Sequence, residues 1–315
     1  MMKWRLPLAT LLTALLLAAC GGGGDGGNTT AVTGPTTTPS TPTQEPGAPT
    51  LSGNNALDGF NWINYRRAQL GLSVLARNSK IDVAAQGHSD YQRTNNVITH
   101  DQTPGQPGFT GVTLADRLNA ATYTLIRPYA TGEVISATSN STGFYQAEEL
   151  IAAIYHRFVI FEPIFKEIGT GSATTSGGYT YFTADFTVNN GYSGLGAGQF
   201  VVYPASNQTG VPTNFFSDSE SPDPVPGQNE VGYPISVHAD NGRTGLTVQS
   251  FSVAPRGGSA LTVRLLSNAT DSATGPSVAA IVPLAPLRSA TTYDVSFSGT
   301  VSGTAVTRNW SFTTK

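Results

Sequence analysis

The chain has 315 residues, of which 39% are hydrophobic and only 12% charged, with a formal net charge of -3 and a single cysteine. That length allows two domains with ordinary cores. A charge balance this near neutral, without basic clusters, excludes nucleic acid as the main partner, because counterion release needs several Lys or Arg at the phosphates; one Cys excludes an intrachain disulfide and any Cys-rich zinc module.

Lys3 and Arg5 precede an apolar run from Leu6 to Ala19, too short for a spanning helix of about 20 residues and patterned as a secretory signal. The run ends in Leu17-Ala18-Ala19-Cys20, which resembles the bacterial lipoprotein lipobox. The resemblance implies cleavage after residue 19, a diacylated Cys20 and an envelope protein held to the membrane by its lipid. Gly21 after the Cys implies outer-membrane sorting if the envelope is diderm. Several acyl chains, at about 0.8 kcal/mol per buried methylene, anchor stably where one is marginal. Residues 20–52 then comprise the lipidated Cys and a Gly/Thr/Pro tether with almost no large apolar side chain to offset its ordering entropy.

From 53 to 193 the pattern is mixed. Leu57, Phe60, Ile63 and Leu70 predict an amphipathic helix; Ile81, Ala84, His88 and Tyr91 predict a second, opened by a Ser79-Lys80-Ile81-Asp82 capping box. Thr113-Leu114-Ala115-Asp116 is another capping box. Leu150, Ile151, Ile154 and Phe158 share one side of a helix expected near 145–159. Phe182, Ala184, Phe186 and Val188 alternate with Tyr181, Thr183, Asp185 and Thr187 in a strand with two different faces. From 198 to 315 helical spacing disappears. Short β-rich runs such as LTVQSFSVA, ALTVRLLS, TYDVSFSGTV and NWSFTT alternate with turn residues and predict an antiparallel sandwich packed on Phe251, Leu265, Val295 and Trp310. This half resembles the Ig-like modules of bacterial surface proteins.

Motifs of common enzymes are missing: there is no HExxH, GxSxG, Walker loop or GxGxxG before a helix. What remains is a series of small signals. They are Asn64-Tyr65-Arg66, Gly71-Leu72 with Leu75, Ala84-Ala85 with His88, then His100, Gly132-Glu133, and His156-Arg157 leading to Pro163, Phe165 and Glu167-Ile168-Gly169-Thr170-Gly171. In that order and spacing they resemble the CAP or SCP-like superfamily of cysteine-rich secretory, antigen 5 and pathogenesis-related proteins. The resemblance implies an α+β fold, an α-β-α sandwich with a central antiparallel sheet, followed here by the all-β Ig-like sandwich. It also implies a large cleft carrying two His and two acidic residues.

Carried over residue by residue, the cleft set is His100, Glu133 and His156. Two imidazoles and a carboxylate form a candidate site for a divalent cation such as zinc, with an open fourth position. The second acid is where this chain departs, because Ala152, Ala153, Ile154 and Tyr155 precede His156. Glu149 shares a helical face with His156 but lies two turns away, about 10.5 Å along an unbroken helix, and Glu148 is rotated about 80 degrees from it. His88 reads as a satisfied core histidine, His238 as a surface or edge residue, and Arg157 as an ion-pair partner of Glu162 or Glu167. Tyr179, Tyr181 and Phe182 read as sheet packing.

Three functions fit. The first is a non-catalytic binding module whose ligand is a divalent cation, a small apolar molecule such as a lipid, or a partner protein, with the Ig-like part as spacer or second adhesive surface. The second is a hydrolase in which Glu133, His100 or His156 activates water. No Ser or Cys nucleophile has a recognisable setting for it, and no oxyanion loop can be named. The third is a structural envelope protein with a vestigial cleft.

Overall fold

Polar caps start the first three helices, and a computed structural model of the chain shows where each begins. It describes residues 16–20, 45–191, 194–241 and 245–315. The start of the leader and the tether from 21 to 44 lie outside them.

Asn54 caps α1 (Asn55–Gln69) by accepting from the Leu57 amide at 3.0 Å. The Asn78 side chain, rather than Ser79, caps α2 (Ser79–Asn95) by accepting from the Lys80 amide. Asp82, freed from the expected box, pairs with Arg77 at 2.9 Å and accepts from the Thr170 amide at 2.9 Å, which ties α2 to the sheet. The Thr113–Asp116 box forms in both directions at the start of α3 (Leu114–Ala120).

Strand β1 (Leu16–Cys20) lies parallel beside β3 (Ala130–Thr138), and β2 (Ala76–Arg77) parallel beside β4 (Glu167–Thr174). Strand β5 (Thr180–Val188) runs antiparallel between β3 and β4. The sheet order is β1-β3-β5-β4-β2. Every residue of β5 is buried, since helices cover both faces. Glycines reveal which helix covers which face. A Cβ at Gly169 or Gly171 would strike the α2 backbone, whereas one at Gly132 would meet Val159 and Phe165 on the other side. Side chains at 133 and 185 therefore face α2 and α3; those at 132, 134 and 136 face α4 (Gly143–Ala152) and α5 (Ile154–Ile160).

The helix expected near 145–159 is in fact α4 and α5, broken at Ala153, whose φ of -70° and ψ of 120° are extended. Two side chains satisfy the ends that the break exposes. Arg157 donates to the carbonyls of Ile151 and Ala152. Glu220, from the all-β half, accepts from the amides of Ile154, Tyr155 and His156 at 2.8, 2.6 and 3.2 Å.

The all-β half contains β6 (Val201–Tyr203), β7 (Gln208–Val211), β8 (Asn214–Phe216), β9 (Glu230–Gly232), β10 (Ile235–His238), β11 (Leu246–Pro255), β12 (Val263–Ser267), β13 (Val278–Pro283), β14 (Thr292–Val301) and β15 (Thr304–Thr314). They form two four-stranded sheets, β12-β13-β10-β6 and β11-β14-β15-β7, and a β8-β9 hairpin. Pairing is antiparallel except between β15 and β7. Phe251, Val295 and Trp310 are buried as expected, while Leu265 is only half-buried.

The two halves share one interior. Ile160, Phe161 and Phe165 belong to the same buried cluster as Tyr203, Tyr233 and Ile235, and Ile154 and Phe158 pack with Phe215, Val231 and Leu266. Arg157 does not pair with Glu162 or Glu167. Its guanidinium lies over the Tyr203 and Tyr233 rings at 4.8 and 4.9 Å and donates to the Pro234 carbonyl, because its place is at the seam between halves. His238 is likewise no surface residue. It is fully buried against the edges of Phe158 and Phe161, and burial pushes its pKa well down.

Candidate functional site

Glu133 on β3 stands opposite Asp185 on β5, both buried under α2 and α3. One Glu133 oxygen lies 2.8 Å from His100 Nδ1, and the other accepts from Arg117 Nη2 at 2.5 Å. Arg117 reaches there from the capped α3 and also donates to the His100 carbonyl at 2.8 Å, fixing the loop that carries the imidazole. Burial pushes the Glu133 carboxyl up, but Arg117 foremost among its neighbours outweighs this and holds it well below the usual carboxylate range.

Neither Asp185 oxygen has a hydrogen-bond partner among the described residues, and the side chain faces Glu133 across the pair of strands. Burial, followed by the Glu133 charge, pushes its pKa well up and favours the protonated acid. The unfolded carboxyl ionises above about pH 4 while the raised folded pKa keeps the folded one protonated to higher pH, so this group's contribution to stability falls as pH rises from there toward the folded pKa. Asp185→Asn removes this titration. Urea unfolding between pH 4 and 8 should find the variant increasingly more stable than wild type as pH rises, and equal curves at every pH would refute the assignment.

His88 is a satisfied core histidine, as its position on the apolar stripe implied. Its Nε2 lies 2.7 Å from the Thr99 carbonyl, its Nδ1 is 3.0 Å from Gln102 Nε2, and burial lowers its pKa to about 4. Its Nε2 is also 3.9 Å from Glu133, too long for a hydrogen bond.

The expected triad is not assembled. His100 and Glu133 meet, but His156 lies at the start of α5 on the opposite face of the sheet, where its Nδ1 is 3.0 Å from Glu220 Oε1. Among the described residues, no group of three or more His, Cys, Asp or Glu is arranged to hold a metal ion. The three residues do not form one cluster because side chains alternate across β3: Glu133 is turned toward α3, and α5 packs beneath the other face.

A groove of about 530 Å³ opens on that other face, between β3, α4, the start of α5 and strand β8. Its walls include Ser136, Glu149, His156, Phe215 and Phe216. The break at Ala153 brings Glu149 and His156 to one cavity, which the two-turn separation of an unbroken helix had argued against. Among the described residues Glu149 accepts only a long 3.4 Å bond from Ser136 Oγ, and the residue is exposed at the groove. Neighbouring Glu148 is occupied instead by Trp62 Nε1 at 2.6 Å and Arg66 Nε at 3.0 Å. Tyr179, Tyr181 and Phe182 contribute sheet packing, the first two through bonds to the Ala137 carbonyl and Asn96.

Asp185, Arg117 and Glu220 were not identified from sequence. Asp185 carried a usable signal, an acid in a strand read as well packed. Arg117 follows directly after a capping box that marks a helix start and says nothing of a partner for it, and Glu220 lies in a polar SDSESPDP stretch that reads as turn.

The model of the cysteine-rich secretory protein (CAP) family matches residues 60–186. No curated protein sequence matches the chain. Among solved structures, the chain is similar to an extracellular protein containing an SCP domain from Bacillus anthracis, with 26% identity, TM-score 0.37, and coverage of 44% of this chain and 41% of that one. An outer surface protein from Borrelia burgdorferi gives 16% identity, TM-score 0.36, and coverage of 43% and 93%. A cysteine-rich secretory protein from Staphylococcus aureus gives 16%, 0.30, and 42% and 38%. The chain thus spans about two fifths of the length of the first and third.

Proposed function

With a CAP domain at residues 60–186, we propose that this protein is an exported, lipid-anchored envelope protein whose CAP domain and all-β half together form a non-catalytic binding module. The observation that carries the reading is the contrast between the two polar sites. Both oxygens of Glu133 are engaged and Asp185 is fully buried beside it, so neither carboxyl is open to a substrate as a free general base, whereas the groove at Glu149 and His156 is open and partly apolar. Its ligand is a small molecule or a segment of a partner, bound where both halves supply wall. The all-β half then belongs to the site and is more than a spacer.

The anchor rests on Cys20, the only thiol in the chain and the last residue of the lipobox-like run. Cleavage ahead of it withdraws Leu16–Ala19 from the β3 edge, leaving β3, β5, β4 and β2 as the sheet of the exported chain. Cys20→Ser should abolish incorporation of labelled palmitate and shift the protein from the detergent phase to the aqueous phase in phase partitioning. Unchanged labelling would remove the anchor from the proposal.

The binding reading is tested by photolabelling the full chain with a neutral phenyl diazirine and mapping the modified peptides. Labels are expected in 135–156 and 214–219, reduced by Phe216→Ser, with no peptide or ester cleavage that depends on Glu133. Turnover lost in Glu133→Gln, or labels absent from these segments, would overturn it.

A further inference from the structure

The two edges of the central sheet are finished differently. Along β4, side chains of α2 close the edge: Asp82 accepts from the Thr170 amide at 2.9 Å, and Gln86 accepts from the Ser172 amide at 3.0 Å while donating to the Ser172 carbonyl at 3.1 Å. Along β3, no side chain takes a main-chain group of residues 131–135 among the described residues, and neither a proline nor a bulge interrupts that stretch. What covers it is the leader. Strand β1 runs parallel to β3 in continuous register, from Leu16 opposite Thr131 to Cys20 opposite Ile135, with α5 alongside. Just beyond, Tyr179 donates to the Ala137 carbonyl at 2.8 Å and closes the rest of the edge.

We propose that in the exported chain this edge receives an extended, uncharged apolar segment of a partner protein as an added strand, paired as the leader is. The inference rests on the export, cleavage and binding-module reading above, and names the kind of partner that the module takes. Cleavage ahead of Cys20 leaves the outward N–H and C=O groups of residues 131–135 without a strand, and an uncapped, unbroken edge is a ready template for another chain. Main-chain pairing supplies affinity in such an addition, and alternate side chains supply selectivity. The surroundings require an apolar segment. Every residue of α5 is buried, the leader segment Leu-Leu-Ala-Ala-Cys holds no charge, and the one charged side chain of the stretch, Glu133, is already engaged by His100 and Arg117. A Lys or Glu turned toward α5 would lose water and find no partner. A segment that runs on past Ile135 enters the groove, whose wall includes Ile135 and Ser136.

The test compares protein purified from the envelope, its N-terminus fixed by intact mass, with the full chain that retains the leader. The probe is a fluorescein-labelled peptide of residues 16–20 carrying Cys20→Ser, followed by a short lysine tail for solubility. Fluorescence polarisation should show one site on the envelope protein and binding at least about tenfold weaker to the full chain, whose edge is filled. Successive residues of a strand turn their amides to opposite sides, so two isomers N-methylated on alternate residues separate strand pairing from adsorption: one should lose about tenfold or more, the other almost nothing. Hydrogen exchange at 131–135 should slow when the peptide is added. Equal loss in both isomers, equal binding to both forms of the chain, or an envelope protein that keeps its leader would overturn strand addition. So would an edge protected before the peptide is added, which would assign it to the chain's own tether or to a second copy. If diazirine labels still fall in the groove in those events, the binding module survives without the added strand; if they do not, both fail.

Discussion

Glu220→Ala is expected to cost the protein about 4 kcal/mol. One carboxylate accepts from three consecutive amides of α5 and from His156 Nδ1, and it is 3% exposed. Hydrogen bonds to a charged acceptor contribute about 1.5 to 3 kcal/mol each, and the amides left behind would be buried without a partner. Partial relaxation of α5 toward the carbonyls of α4 offsets some of the loss, which is why the figure stays below the simple total. At roughly 2 to 4 °C per kcal/mol for a chain of this size, the melting temperature should fall by about 10 °C. Hydrogen exchange should locate the damage, since the amides of 154, 155 and 156 lose protection first. Glu220→Gln, which retains one acceptor oxygen, should lose about half as much. A shift below about 3 °C for the alanine variant, or intact protection of those amides, would mean that the cap does not hold the seam.

That seam marks the boundary of what the sequence disclosed. The helices were legible because their apolar spacing and caps are local: α1, α2 and α3 lie where Ile63, Ile81 and Leu114 imply, although α2 takes Asn78 rather than Ser79 as its cap. The cap moved because Asp82 had a stronger use in binding Arg77 and the Thr170 amide, a contact 88 residues away along the chain. The break at Ala153 was not legible for the same reason. An Ala-rich stretch flanked by Leu150, Ile151 and Ile154 is locally a continuous helix, and the interruption is favourable because Arg157 takes the freed carbonyls and Glu220, 64 to 66 residues downstream, takes the freed amides. His100 and Glu133 do meet, at 2.8 Å. His156 was assigned to them by family pattern, and strand alternation sent it to the other face. His238 and Arg157 look like ordinary polar residues in sequence, and they become interior ones only because the second half packs directly on α5.

Arg117→Met should be equally damaging, and its pH dependence identifies the cause. The guanidinium is 1% exposed and meets a buried carboxylate at 2.5 Å, so its removal leaves Glu133 with His100 as its remaining hydrogen-bond partner among the described residues. Breaking one side of a buried pair costs about 3 to 5 kcal/mol, because the surviving charge keeps its desolvation penalty without its partner. In the wild type the Glu133 pKa is depressed, so its contribution is present above the ordinary carboxylate range near pH 4.5 and is lost as pH falls through and below it. Without Arg117, burial becomes the governing influence and drives the Glu133 pKa up, so the variant gains from protonation where the wild type loses. The stability gap should therefore be widest near pH 7 and narrow steadily toward pH 4 in denaturant unfolding. Arg117→Met combined with Glu133→Gln should recover much of the neutral-pH loss, since removing both charges costs far less than stranding one. If the gap stays constant with pH and the double variant recovers nothing, Arg117 acts by filling space and tethering the His100 carbonyl, and Glu133 is not the charge that it serves.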